Sequence, residues 1–359
     1  MSLDLEWDNF INQKTTYCED GDSCESKGGD NDFIPTASDL YISTQTKIAY
    51  LNQPIELGDL FWNIEVIPYQ DITEGVVKKQ MKVNCSNDES VEELEKKIES
   101  IKGVKRIDVI SNVKKVTGDN VIFKDVRKIN VGLSKKDLTT YRIKKKGAFY
   151  NCFVLIIRME ISKNTYKEFH IKIFNTGKLE LPGIQSDEIL YKVLNKLKFI
   201  LSKHVDNIDY NNNDIETVLI NSNFKCNYYI DRDKLVRLLK YEYNLHIVYD
   251  PCSYPGIQCK FYYNKNYKNN MGSCVCKTRC YKDKTRNPDK CSELSFMIFR
   301  TGSILIVGKC SEKILFYIYN FIKKILLTDY NSFMIPAPAD IKKTKKKKVW
   351  KKTILITAN

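Results

Sequence analysis

Ile171-Lys-Ile-Phe-Asn-Thr-Gly-Lys-Leu-Glu-Leu-Pro-Gly183 returns, 125 residues further on, as Phe296-Met-Ile-Phe-Arg-Thr-Gly-Ser-Ile-Leu-Ile-Val-Gly308. One shift pairs Ile173 with Ile298, Phe174 with Phe299, Thr176 with Thr301, Gly177 with Gly302 and Gly183 with Gly308. It runs on without a gap through Ser186 and Ser311 to Leu201 and Leu326. A register held that long marks an internal duplication. In each copy, apolar alternation predicts two strands, and Thr-Gly predicts the hairpin between them. Ser186 and Ser311 stand as N-caps, each followed by an acid (Asp187, Glu312) in the first helical turn. Helical spacing then follows: Ile189, Leu190, Val193, Leu194, Leu197 and Leu201 in one copy, Ile314, Leu315, Ile318, Ile322, Ile325 and Leu326 in the other.

The duplication extends upstream. Residues 42–48 and 219–226 read as opening strands, and 56–64 and 231–241 as the helices after them, with Thr46 facing Asn221 at a shift of about 175. The larger upstream shift leaves about 50 extra residues in the first copy. They fall within about 72–148 and read as an inserted α/β subdomain. Its helix opens on a Ser90-Val-Glu-Glu93 capping box and runs to Ile101, and its strands cover 105–110 and 121–126. The predicted organisation is a disordered acidic arm over 1–38, a first repeat over 39–204, and a second repeat over 215–330 with a Cys-rich basic insertion at about 263–294. A basic flexible tail covers 331–359. In the arm, Cys18 and Cys24 sit among breakers and read as part of a solvated segment.

The class is α+β. Each half is a strand, a helix, an antiparallel run of strands and a long helix. Two halves related by a pseudo-dyad would join their sheets with helices on one side and the other sheet face free for a partner.

Composition narrows the partner. The chain has 359 residues, 43% hydrophobic and 28% charged, which suits a folded protein of two or three domains. The most apolar stretch, 314–327, is broken by Lys323 and Lys324, and Met1 to Phe10 carries Asp4, Glu6 and Asp8 where an export signal needs positive charge. The expectation is an intracellular protein with no membrane association. Its twelve cysteines then read as reduced thiols. Net charge is +14, split as −8 over residues 1–40, +7 over 340–359 and +15 between them. A basic body with a lysine-rich tail (Lys342 to Lys352) favours a polyanion, nucleic acid first. The tail itself reads equally as a solvated run, a nuclear-import signal or a DNA-gripping arm. Three histidines (His170, His204, His246), no phosphate-binding glycine loop, no H-E-x-x-H and no carboxylate cluster predict neither an enzyme nor a small-molecule substrate.

On these residues the chain resembles the TATA-box-binding protein family, in its diverged form from large DNA viruses. The residues that carry the resemblance are Tyr254-Pro-Gly-Ile-Gln-Cys-Lys260, then Phe296 to Lys309, then the Ser311 helix, and in the first half Phe174 to Gly183. The resemblance implies a saddle: a curved antiparallel sheet, helices on its convex side, and a concave face that lies on the minor groove. It implies two phenylalanine wedges per half that kink the duplex, the mode of minor-groove binding for which this family is the usual example. Phe174 and Phe299 fall on the second wedge of each half and Tyr254 on the first wedge of the second half. The remaining wedge position counts back from Arg158 to Cys152, with Phe149, Tyr150 or Phe153 able to serve through a shifted register. Arg158 and Lys260 would reach phosphate. Asn221, with Thr46 as its counterpart, would read acceptors on the groove floor. Strand parity adds Met297, Ser303, Leu305 and Val307 to the face of Phe299, and His170, Lys172, Lys178, Glu180 and Pro182 to the face of Phe174. The implied function is a promoter-binding initiation factor, working in a nucleus or a cytoplasmic viral replication site. It bends AT-rich double-stranded DNA and recruits RNA polymerase or general transcription factors, and it needs no cofactor. The polar first-half face, with Glu180 on it, motivates an alternative: an interaction platform of a viral transcription complex that has lost specific DNA binding.

One cluster stands outside the repeat: Cys274, Cys276, Cys280 and Cys291, within a loop that also carries Lys277, Arg279, Lys282, Lys284 and Arg286. Thiolates suit tetrahedral zinc, but C-x-C-x3-C-x10-C is not the usual paired knuckle, so a structural zinc ion, free thiols and disulfides all stay open.

Overall fold

The computed structural model describes residues 34–117, 120–139, 151–276, 280 and 290–336. The acidic arm up to residue 33, Phe149, Tyr150, the basic residues 277–279 and 281–289, and the tail from 337 lie outside them.

Two compact units emerge. One runs from Thr44 to Val218. The other starts at Leu219 and includes the segment up to Ser43. In chain order the elements are β1 (Tyr41–Tyr50), α1 (Leu57–Asn63), β2 (Gly75–Cys85), α2 (Asp88–Ser100), β3 (Lys105–Thr117), β4 (Asn120–Gly132), α3 (Lys135–Thr139), β5 (Cys152–Ser162), β6 (Thr165–Phe174), β7 (Lys178–Ile184) and α4 (Asp187–Leu201). Then come β8 (Glu216–Lys225), β9 (Tyr229–Ile230), α5 (Arg232–Tyr241), β10 (His246–Val248), β11 (Ile257–Tyr263), β12 (Ser292–Ile298), β13 (Ser303–Gly308), α6 (Glu312–Thr328) and β14 (Met334–Ile335).

In the first unit the strand order is β1-β7-β6-β5-β2-β4-β3, and in the second β8-β13-β12-β11-β10. Every pairing within these runs is antiparallel. Strand for strand the orders are the same, β1 matching β8 and β2 matching β10, until β4 and β3 extend the first unit beyond β2. The extra 50 residues therefore lengthen the sheet. Their apolar residues Met81, Cys85, Leu94, Ile98, Ile129 and Val131 join the same core as Ile171, Leu179 and the α4 leucines.

The duplication holds at the level of single hydrogen bonds. Gly177 N–H donates to the carbonyl of Phe174 (2.9 Å), and Gly302 N–H to that of Phe299 (3.0 Å). Leu51 N–H donates to Gly177 and Cys226 N–H to Gly302. Ile55 N–H donates to Asn175 and Ile230 N–H to Arg300. Both hairpin glycines hold positive φ, 81° and 75°. A Cβ on Gly302 would sit 2.3 Å from the carbonyl oxygen of Tyr228, so a side chain is excluded by space as well as by backbone conformation.

Each unit packs its helices on one sheet face. Leu190, Val193, Leu194, Leu197 and Leu201 of α4, with Leu60 and Phe61 of α1, meet Ile171, Ile173, Leu179 and Leu181. In the second unit Leu315, Ile318, Ile322 and Leu326 of α6, with Leu235 and Leu239 of α5, meet Leu294, Phe296, Ile298, Ile304 and Ile306.

Three sequence expectations change. The α2 cap is Asn87, whose side chain accepts from Ser90 N–H, while Ser90 fills the third helical position and bonds back to Asn87. The box is real but starts three residues earlier than expected. The arm is not free to residue 38. Ser38 exchanges bonds with Lys225, Tyr319 donates to its carbonyl, and Asn227 donates to Thr36, because the end of β8 leaves backbone groups that need partners. The tail does not begin at 331 either. Phe333 is fully buried, its carbonyl accepts from Asp231 N–H, and β14 pairs with β9.

Candidate nucleic-acid interface

The face opposite the helices is set by strand parity, and the second unit shows it most plainly. With Leu294, Phe296 and Ile298 in the core, Ser295 and Met297 point the other way. With Ile304 and Ile306 in the core, Ser303, Leu305 and Val307 do. Val307 lies opposite Asn221, and Leu305 opposite Asn223. Met297 lies opposite Gln258, and Lys260 opposite Ser295. Met297, Leu305 and Val307 are half-buried. An apolar strip is thus flanked by amides that can donate to ring-edge acceptors, with Lys260 at the margin. Asn223 and Gln258 were not singled out from the sequence, although counting two residues from Asn221 and from Lys260 finds both. Lys260 forms a partly exposed ion pair with Glu293.

At one end of this strip Phe299 follows β12, its N–H bonded to Ser303 across the turn. Its ring meets Tyr254 edge to face, centroids 5.9 Å apart. The pair leans over Gly256, where a Cβ would come within 2.9 Å of the Phe299 ring. Phe299 is only 3% exposed, yet it is not part of the helix-side core. What covers it includes Tyr254, carried on a turn in which Asp250 accepts from the N–H groups of Cys252, Ser253 and Tyr254. Burial raises the Tyr254 phenol above the ordinary tyrosine range.

The first unit has the same frame and different occupants. Thr46 lies opposite Pro182, and Ile48 opposite Glu180, the positions held in the second unit by Asn221 with Val307 and Asn223 with Leu305. Glu180 is neutralised by Lys172 at 2.6 Å. Phe174 is half-buried under the Lys178 ammonium, 5.8 Å from the ring centroid.

Register corrects two expectations. Phe174 pairs with Cys152, and the ladder places Phe299 opposite Gly256, since Ile298 pairs with Ile257. The counterpart of Lys260 is therefore Ile156, not Arg158, because Ile156 pairs with His170 as Lys260 pairs with Ser295. The counterpart of Tyr254 is Tyr150, outside the described residues. Phe153 is excluded: it is fully buried against Phe61 in the helix-side core. Arg158 is 6% exposed, and its guanidinium donates to the carbonyls of Asp71 (2.7 Å) and Tyr69 (3.0 Å) while stacking on the Tyr69 ring. It anchors a loop rather than reaching outward, because residues 69–71 place carbonyl acceptors against it.

That loop and α3 lie over the uncovered face of β5 and β6. Asp137 of α3 accepts from Lys78 at 2.8 Å, and Lys135 N–H donates to Glu168. The Lys78 and Ser134 bonds outweigh burial and hold the Asp137 carboxyl below its ordinary value. Between loop and helix is a cavity of about 620 Å³ whose walls include Lys135, Lys136, Arg158, Lys167 and His170, with Glu168 the one acid among the described residues that line it.

Cys274, Cys276, Cys280 and Cys291 of the second unit come together. Their sulfurs all lie within 4.8 Å of one another.

No family model matches the chain. It is 26% identical over 240 residues to a protein of Acanthamoeba polyphaga mimivirus named TATA-box-binding protein-like. The match takes in 60% of this chain and 61% of the relative, so it spans about three fifths of that protein's length. Among solved structures, a TATA-box-binding protein of Methanococcus jannaschii aligns at 13% identity and a TM-score of 0.38, over 80% of this chain and 99% of the other. The chain is thus similar to a viral protein whose name is that of the family its sequence resembles.

Proposed function

We propose that the protein is a non-enzymatic transcription factor that docks its uncovered sheet faces in the minor groove of AT-rich promoter DNA, bends the duplex, and presents its helical sides to RNA polymerase or partner factors. The observation that carries this reading is the Tyr254–Phe299 ring pair at the end of an apolar strip lined by Asn221 and Asn223. A narrow groove of A·T pairs offers acceptors and no exocyclic donor, so apolar contact with amide donors suits it and guanine's amino group obstructs it. The ring pair, moving together with the Asp250 turn that carries Tyr254, would enter a base step, and flexible TA steps lower the cost of opening that step. Lys260 would exchange Glu293 for phosphate, a small loss because exposed pairs contribute roughly 0–1 kcal/mol.

Gel-shift titration of the full chain against AT-rich and GC-rich duplexes at several salt concentrations tests this. The reading expects AT preference and a steep fall of affinity with salt.

A second reading follows from α3 and the 69–72 loop. These cover part of the first unit's sheet face and tie up Lys78 and Arg158. A chain whose first half is closed in this way would serve as an interaction platform. Equal, weak affinity for both duplexes would favour it.

A further inference from the structure

We infer that Cys274, Cys276, Cys280 and Cys291 form a structural zinc site that closes the insertion between β11 and β12. Four sulfurs held tetrahedrally about 2.3 Å from one ion stand about 3.8 Å apart. Here Cys276 is 3.6 Å from Cys280 and 3.6 Å from Cys291, and Cys291 is 4.0 Å from Cys274. A disulfide needs about 2.05 Å, so the cluster is not a pair of strained bridges. All four sulfurs lie within 4.8 Å of one another, which pairwise bridging does not require.

The surroundings are those of a ligand shell. Cys280 N–H is directed at Cys274 sulfur at 3.3 Å. The buried Asn264 amide reaches Cys276 and Cys291 at 3.6 and 3.8 Å. Donors aimed at sulfur stabilise thiolate and orient it, the role of outer-shell groups in metal sites. Asn264 is in turn fixed by Asn270, and Asn270 exchanges bonds with the Tyr317 hydroxyl of α6. The cluster is thereby tied to the β11 end and to the helical layer.

The described part of the segment also buries almost no apolar side chain of its own. Tyr267, Met271 and Val275 are exposed, and its buried side chains are Asn264, Asn270 and Cys274. A loop without an apolar core needs a crosslink, and an S4 set in a tetrahedron selects zinc over hard cations. Binding converts the thiols to thiolates, so the protons leave to solvent and the ion changes no oxidation state.

The test is the metal content of the full chain purified without chelator, with X-ray absorption at the metal edge. One zinc per chain with four sulfurs near about 2.3 Å is expected. Cys276→Ser with Cys291→Ser should lose the ion, and Cys310→Ser, outside the cluster, should keep it. Cobalt added to the apo chain should give a thiolate charge-transfer band, and chelator should speed proteolysis between 264 and 291. Iron in place of zinc, no stoichiometric metal together with a silent cobalt titration, or zinc retained in the double variant would each overturn the assignment. If the double variant fails to fold, the cobalt spectrum of the wild-type chain decides.

Discussion

Phe299 owes its candidacy to its place in the turn: it sits one residue beyond β12, outside the helix-side core, with Tyr254 against its ring. Phe299→Ala should leave nonspecific affinity within about threefold and cut the bend of an AT-rich duplex sharply, because a wedge acts on the base step and not on the backbone. Equal losses in both would remove the wedge. Lys260 and Arg158 separate in the same way. Lys260→Ala should lower the slope of log affinity against log salt by about 1. Arg158→Met should leave that slope unchanged and cost about 2 kcal/mol of stability, since two part-buried carbonyls lose a charged donor. Chemical denaturation alongside salt titration checks both. From sequence the two residues look equivalent, both being basic and in apolar strands. Only the ladder shows that Lys260 and Ile156 share a position, because register is a tertiary property and a slip of two keeps the same face.

Among helices and strands, local chemistry was the most legible. Ser186 caps α4 with its side chain as its place before the apolar run predicts, whereas Ser311 opens α6 with no side-chain cap bond, and Glu56 and Asp231, read only as the first residues of helices, turn out to cap α1 and α5. Long-range occupancy was not legible. Nothing in Lys78 or Asp137, fifty-nine positions apart, announces that α3 lies on the sheet. Asp137→Asn should loosen α3, free Lys78 and raise affinity for duplex DNA in the same gel shift. An unchanged affinity would mean that the first-unit face contributes nothing. Lys79 was also missed. It is 2% exposed, and its ammonium donates to the carbonyls of Phe61, Trp62 and Ile64 at the end of α1. Burial brings its pKa down to about 8 from 10.5. A depressed lysine is costly while charged, so its contribution to stability should improve as pH rises from about 8 toward 10.5, by up to about 3 kcal/mol. Lys79→Met should flatten the difference between unfolding free energies measured at about pH 7.5 and about pH 10. A wild-type and variant difference independent of pH would contradict the assignment.

Over the full chain, the duplicated frame and the charge distribution carry the account. Both units keep the same strand order and the same hairpin contacts, yet they present different faces: amides and apolar groups in one, a Lys172–Glu180 pair and a partly covered sheet in the other. The net charge of +14 makes association with DNA favourable at low salt whatever the face does, so affinity alone is a weak test. Bending is the sharper one. End-to-end fluorescence transfer in a short AT-rich duplex with a central TA step, titrated with the full chain at physiological salt, should shorten the distance on binding. Phe299→Ala should restore much of it. A duplex that stays straight while fully bound by the wild-type chain would contradict the proposed function.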